Sequence, residues 1–169
     1  MNQADLGILY RQVILDHAKN PHHFRTLPAS VGQQVEKFNP SCGDVLQVRM
    51  VVLGNQIQDM SFDGAGCAIS MAAASMLTEQ LMGQSLPAAR EKLAAFSELL
   101  MADQGQGQNQ DVLFTDESQS VEAKGWQDGD VDLGELSALA GVRQFPTRLK
   151  CATLASHAVT ALIAKIEGE

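Results

Sequence analysis

The stretch "DVLQVRMVVLGNQIQDMSFDGAG" at residues 44–66 limits the possible folds more than any other part of the chain. Leu46, Val48, Met50 and Val52 alternate with Gln47 and Arg49. That two-residue period belongs to a strand with one buried face. Gly54-Asn55 suits a two-residue hairpin turn. The returning strand puts Met60 and Phe62 on one face and Asp59, Ser61 and Asp63 on the other. Two antiparallel strands of a small sheet with one wet face are therefore expected. A short first strand around Val35–Phe38 makes about three strands in all.

Helices surround this hairpin. Residues 4–19 carry Leu6, Leu9, Tyr10, Val13, Ile14 and His17 at three- and four-residue spacing, and Asn20-Pro21 ends the pattern. Gly64-Ala65-Gly66 breaks the second strand, and a helix follows from Cys67 to a stop at Gly83. Its Ala68, Ala72, Ala73, Ala74 and Ser75 permit close packing on the sheet. Ser85 is placed to cap a helix over residues 86–101, with Pro87 in its first turn. A short helix is expected over residues 132–141, ending at Gly141, and a last one from about Thr147 to Lys165. The fold class is α+β: a small antiparallel sheet covered on one face by several helices. One domain, residues 1–169, is expected at this length.

Residues 103–130 differ in composition. They hold six Gln, four Gly and seven acidic residues against one Lys, and so carry −6 of the chain's −8. Such a segment cannot form a core and is expected to be a long acidic insertion. A net negative chain has no general attraction for nucleic acid or anionic lipid. The start "MNQADLGILYRQVILDH" has no basic end followed by an apolar block, so no secretory signal is expected. With only three cysteines, a cytoplasmic protein with free or metal-bound thiolates is expected.

Each cysteine has an unremarkable local reading. Cys42 lies in the turn "PSCGD". If residues 42–44 are extended, Cys42 and Asp44 face the same way, and their repulsion calls for a cation between them. Cys67 opens a helix after two glycines, where unpaired N–H groups favour a thiolate. Cys151 follows Arg148 and Lys150, basic neighbours that would lower its pKa. Taken together, Cys42, Asp44, Cys67 and Cys151 are four ligands, the number a tetrahedral zinc site takes, and Arg148 and Lys150 would offset its excess negative charge. A [2Fe–2S] cluster needs four protein ligands too. The spacings of 25 and 84 residues leave it to the fold to bring the cysteines together. A structural zinc domain and three unconnected cysteines are the other readings. His17 is expected in a packing role, and His22 and His23 at the surface. His157 is off the face of Cys151. No phosphate loop or dinucleotide fingerprint is present.

The blocks "LYRQVILDHAKNP", "NPSCGD", "FDGAGCAISMAAASMLTEQLMG" and "GVRQFPTRLKCATL" resemble the U-type iron–sulfur cluster assembly proteins, the NifU-like N-terminal or IscU family. Within it the chain is most like the SufU branch, because of the long segment before the third cysteine and Lys150 in place of a histidine. His22-His23 departs from the family's usual Arg-Asn, and residues 104–130 are longer than expected. The resemblance implies a site of Cys42, Asp44, Cys67 and Cys151 that binds zinc. It implies a sulfurtransferase-like relay, not an independent hydrolase or oxidoreductase. Sulfur would come from a SufS-type cysteine desulfurase, with Cys42 as persulfide carrier, and go on to a downstream scaffold or apo-proteins. The alternative it implies is a scaffold for a transient [2Fe–2S] cluster.

Overall fold

The computed structural model describes residues 3–26, 28, 30–40, 42–101 and 131–168. The acidic segment expected at 103–130 lies outside the described residues. The order is helix α1 (Gln3–Lys19), strands β1 (Gln33–Asn39), β2 (Asp44–Leu53) and β3 (Gln56–Ala65), helices α2 (Ala68–Leu81) and α3 (Leu86–Met101), a 3₁₀ helix (Gly134–Gln144) and helix α4 (Pro146–Glu167). The strands form an antiparallel sheet in the order β1-β2-β3.

The β2–β3 turn has Gly54 at φ +57° and Asn55 at φ +69°, the two left-handed residues that match the twist of a tight hairpin. Pairing then runs from Leu53↔Gln56 to Val45↔Ala65, with one irregularity beside Val51/Val52. There Val52 pairs with Ile57 and Val51 with Asp59, so Gln58 is an extra residue. A bulge of this kind shifts the side-chain alternation by one. It puts Ile57, 0% exposed, on the same core face as Met60 and Phe62. The alternation seen in the sequence could not include Ile57, because a bulge leaves no mark on composition.

Helices α2 and α4 lie on the core face of the sheet, with α1 against α2 and α3 against α4. Leu46, Val48, Met50, Met60 and Phe62 meet Ala72, Ala73, Met76 and Leu77 of α2 and Ala155, Ala158 and Leu162 of α4. The alanines let the helix backbones approach the strands closely. Helix α4 is 22 residues long and apolar enough to cross a membrane by length and composition, but half of that window is buried inside the fold. Here it serves as a core helix.

The other face is less wet than the sequence suggested. Arg25 binds Asp59 at 2.5 Å and Thr26 donates to Asp63 at 2.6 Å, so residues after α1 cross that face. Arg49 is buried beneath them and donates to the Pro28 carbonyl at 3.2 Å. The same segment covers the free edge of β3. Phe62 N–H donates to His23 O, and Arg25 N–H to Phe62 O.

Two helix boundaries followed their local signals. Ser85 Oγ accepts the Ala88 N–H at 3.2 Å, as its capping role requires. Pro146 stands in the first turn of α4. The expected short helix at 132–141 is instead a 3₁₀ helix, and it continues past Gly141 to Gln144.

His17 takes the packing role expected of it. It is 4% exposed, its Nδ1 lies 2.7 Å from Ser75 Oγ, and its Nε2 pairs with Glu135. This Ser–His–carboxylate line is no hydrolytic triad: Ser75 is fully buried, and its oxygen also accepts the His22 N–H at 2.7 Å. The line joins α1, α2 and the 3₁₀ helix. His17→Ala leaves the buried Ser75 hydroxyl short of one partner, breaks the link to the exposed Glu135, and is expected to cost about 1–3 kcal/mol. Urea denaturation measures this, and a change within experimental error would refute the role.

Candidate metal centre

The three cysteines and Asp44 converge at one end of the sheet. Cys42 sits in the β1–β2 turn, where the Asn39 carbonyl accepts the Cys42 N–H at 3.3 Å and the Gly43 N–H at 2.9 Å. Gly43 has φ +70°. Residues 42–44 are thus a turn with a left-handed residue, and extended-strand parity does not bring Cys42 beside Asp44. The turn itself does so, and Gly43 supplies its left-handed φ.

Cys42 Sγ lies 3.1 Å from Cys151 Sγ. Donor atoms of Cys42, Asp44 and Cys151 all lie within 4.8 Å of one another. Cys67 Sγ is 4.0 Å from Asp44 Oδ2. The four candidates therefore share one place, with Cys67 on its Asp44 side. Cys42 is exposed, Cys67 half-buried and Cys151 buried.

Asp44 is the most firmly held of the four. It is 0% exposed. Its Oδ1 accepts the Cys67 N–H at 2.8 Å, and its Oδ2 accepts the Ser70 hydroxyl at 2.7 Å. The approach depends on two glycines. A Cβ on Gly66 would stand 2.9 Å from Asp44 Oδ1, and one on Gly64 would stand 2.0 Å from the Val45 carbonyl. Gly64 also has φ +137°, which side-chain-bearing residues rarely adopt. "GAG" is thus the surface against which β2 and Asp44 close.

The thiols differ in acidity. Burial pushes the Cys67 thiol up, but hydrogen bonds from the Ser70 hydroxyl, the Ser70 N–H and Cys151 bring it below its ordinary value. Cys151 is shifted the other way: burial, then hydrogen bonds to Cys42 and Cys67, raise its thiol well above the ordinary value. This corrects the expectation that Arg148 and Lys150 would lower it. Arg148 does face the site. Its hydrogen bond to Cys151, and the charges of Cys67, Cys151 and Cys42, raise the guanidinium's pKa. Lys150 is one residue before Cys151 on α4, about 100° around the helix. Among the described residues its ammonium has no hydrogen bond or ion pair to the site.

Two residues escaped the sequence reading. Asn39 is 1% exposed, and its Nδ2 lies 3.8 Å from Cys151 Sγ. Ser70 is fully buried between Asp44 and Cys67, its Oγ 3.5 Å from Cys67 Sγ. The three-residue step from Cys67 to Ser70 on one helix face was a usable signal. Nothing local marked Asn39, which meets Cys151 across 112 positions.

A three-stranded antiparallel sheet backed by helices, with three cysteines and a buried aspartate gathered at its end, defines a class of α+β proteins with a clustered thiol site. The family model described as the NifU-like N terminal domain matches residues 9–119. The chain belongs to that family. It is 38% identical over 165 residues to the zinc-dependent sulfurtransferase SufU of Bacillus subtilis (strain 168), covering 98% of this chain and 96% of the relative. It is 34% identical over 159 residues to the iron–sulfur cluster assembly scaffold protein IscU of Streptococcus pyogenes serotype M1, covering 94% of this chain and 85% of that one. The crystal structure of a NifU-like protein (N-terminal) from Brucella abortus superposes with TM-score 0.70 at 18% identity, covering 95% of each chain. At that identity the likeness speaks for the fold alone.

Proposed function

We propose that this chain is a zinc-dependent sulfur-transfer protein of iron–sulfur cluster assembly. It takes sulfane sulfur from a SufS-type, pyridoxal-phosphate-dependent cysteine desulfurase and passes it to a scaffold or apo-protein. The observation that carries this reading is an exposed thiol, Cys42, on a turn 3.1 Å from the buried thiol of Cys151. The name of the Bacillus subtilis relative supports it. Cys42, Asp44, Cys67 and Cys151 would hold the metal.

The donor set suits zinc. Ligands at about 2.0–2.3 Å in a tetrahedron stand roughly 3.3–3.8 Å apart. The two close sulfurs, 3.1 Å apart, need a small spread, and Cys67 Sγ, 4.0 Å from Asp44 Oδ2, has to move inward to complete the set. When bound, zinc keeps the thiolates deprotonated at neutral pH.

The chain's own residues divide the remaining work. Asp44 is fixed by the Cys67 N–H and by Ser70, Cys151 is fixed by its helix, and Arg148 offsets negative charge. Cys42 has the exposure to meet another protein. Its thiolate attacks the outer sulfur of the desulfurase persulfide. The S–S bond of that persulfide breaks, the desulfurase cysteine leaves as thiolate, and Cys42 becomes the persulfide. Thiols used in this way need a reducing compartment, which favours the cytoplasm.

The test is desulfurase turnover with cysteine, with and without the zinc-loaded protein. A severalfold stimulation is expected, and none would overturn the proposal. The scaffold reading has the Streptococcus pyogenes relative in its favour. Metal analysis separates the two: the relay predicts colourless protein with one zinc per chain, the scaffold a brown protein with a visible absorption band.

A further inference from the structure

A second group of ligand-type side chains stands at the other end of α2. Glu79 is twelve residues beyond Cys67, about 18 Å at the helical rise of ~1.5 Å per residue. One oxygen of Glu79, Oε2, is approached by two imidazoles. His23 Nε2 is 2.8 Å away and His22 Nδ1 is 3.2 Å away. The His22 ring lies against that of His17, with centroids 4.6 Å apart. His17, His22, Glu79 and Glu135 help line a cavity of about 110 Å³.

The two histidines sit on a clamped backbone. His22 N–H donates to Ser75 Oγ at 2.7 Å. His23 O accepts the Phe62 N–H at 3.0 Å. His23 itself has φ +61°, a conformation that a non-glycine residue keeps only when its surroundings hold it. The turn thus fixes the backbone that carries two neighbouring imidazoles beside one carboxylate oxygen. Such backbone preorganisation is what a binding site requires.

Hydrogen bonds from His23 and His22 hold the Glu79 carboxyl below its ordinary pKa, so it is an anion. Glu135, across the cavity, adds a second carboxylate. Nitrogen and oxygen ligands at about 2.0–2.1 Å from one ion stand roughly 2.8–3.0 Å apart at right angles and roughly 3.3–3.4 Å apart in a tetrahedron. The two N···O separations at Glu79, 2.8 and 3.2 Å, span that range. Imidazole combined with carboxylate suits borderline divalent ions. Among the described residues, only Cys42, Asp44 and Cys151 already place three donors within 4.8 Å of one another. At Glu79 the remaining edge is longer, with the two rings' centroids 6.4 Å apart, and closing it requires the His22 side chain, 51% exposed, to rotate toward His23.

We propose that His22, His23 and Glu79 form a second metal site, separate from the cysteines, for a borderline divalent transition-metal ion. The probe is Ni²⁺, titrated calorimetrically into the full-length, zinc-saturated protein, with NMR of the histidine rings alongside. One further equivalent is expected to bind, broadening the His22 and His23 resonances first. The double variant His22→Asn/His23→Asn is expected to lose that equivalent while its zinc content stays unchanged. Glu79→Gln is expected to weaken binding about 10–100-fold. No Ni²⁺ uptake by the parent protein, uptake that persists in the double variant, or broadening elsewhere would overturn the site. Broadening in the parent protein decides the matter even if the double variant does not fold. It locates the ion whatever the cysteines hold, so its failure is distinct from failure of the sulfur-transfer reading.

Discussion

Cys42→Ala is expected to abolish sulfur acceptance while leaving the fold intact. Cys42 is exposed on a turn, and surface substitutions of this kind usually change stability by no more than about 0.5 kcal/mol. Its thiolate, however, is the attacking atom of the proposed transfer. Cys67 is half-buried and Cys151 buried, so neither sulfur is as open to a partner. Stripped of metal, the variant should melt like the metal-free parent, and it should fail to stimulate the desulfurase. In the parent, mass spectrometry of the peptide containing residue 42 should show the gain of one sulfur atom after turnover. Full stimulation by the variant, or sulfur found on Cys67 or Cys151 alone, would remove Cys42 from its role.

Asp44→Ala is expected to damage both metal binding and the fold. Cys67 N–H and Ser70 O–H both donate to this carboxylate. Truncation leaves two donors unpaired in a buried place, at about 1–3 kcal/mol each. Part of this is offset, because a buried carboxylate beside thiols is itself costly. A net loss of about 1–3 kcal/mol is expected even without metal. Zinc affinity should fall by at least the ~10–100-fold seen when a supporting partner of a metal site is lost. Asp44→Asn keeps the shape and loses the charge, so it should recover much of the stability and little of the affinity. Urea denaturation and chelator competition measure the two effects. A metal-free Asp44→Ala as stable as the parent, with unchanged zinc affinity, would show that the hydrogen bonds at Asp44 carry no weight. These contacts also change how Asp44 is understood. From sequence it was one of four ligands beside Cys42, but both its oxygens are held by Cys67 and Ser70, and the exposed member of the set is Cys42.

Where neighbours in sequence are also neighbours in space, local reading succeeded. Gly54-Asn55 made the hairpin, Ser85 capped α3, and alternation gave the core face of β2. It failed where geometry is free of composition. The extra residue Gln58 turned Ile57 into the core. The segment Gly134–Gln144 took the tighter 3₁₀ form past Gly141. The basic residues before Cys151 suggested a lowered pKa, yet burial raised it. Desolvation depends on what packs around a sulfur, and flanking residues do not record that.

By itself, the sequence determined the inventory: a hairpin closed by Gly-Ala-Gly, helices rich in small residues, and three cysteines with an aspartate able to serve as ligands. Local propensity and side-chain alternation are short-range, so they are written into short stretches. Only the tertiary structure decided that these ligands meet. Cys42 and Cys151 stand 109 positions apart, yet their sulfurs lie 3.1 Å from each other. That distance results from α4 packing on β1 and β2, with Gly64 and Gly66 letting the strand and Asp44 close against the start of α2. Contact across such a separation is a product of core packing, and no spacing along the chain encodes it.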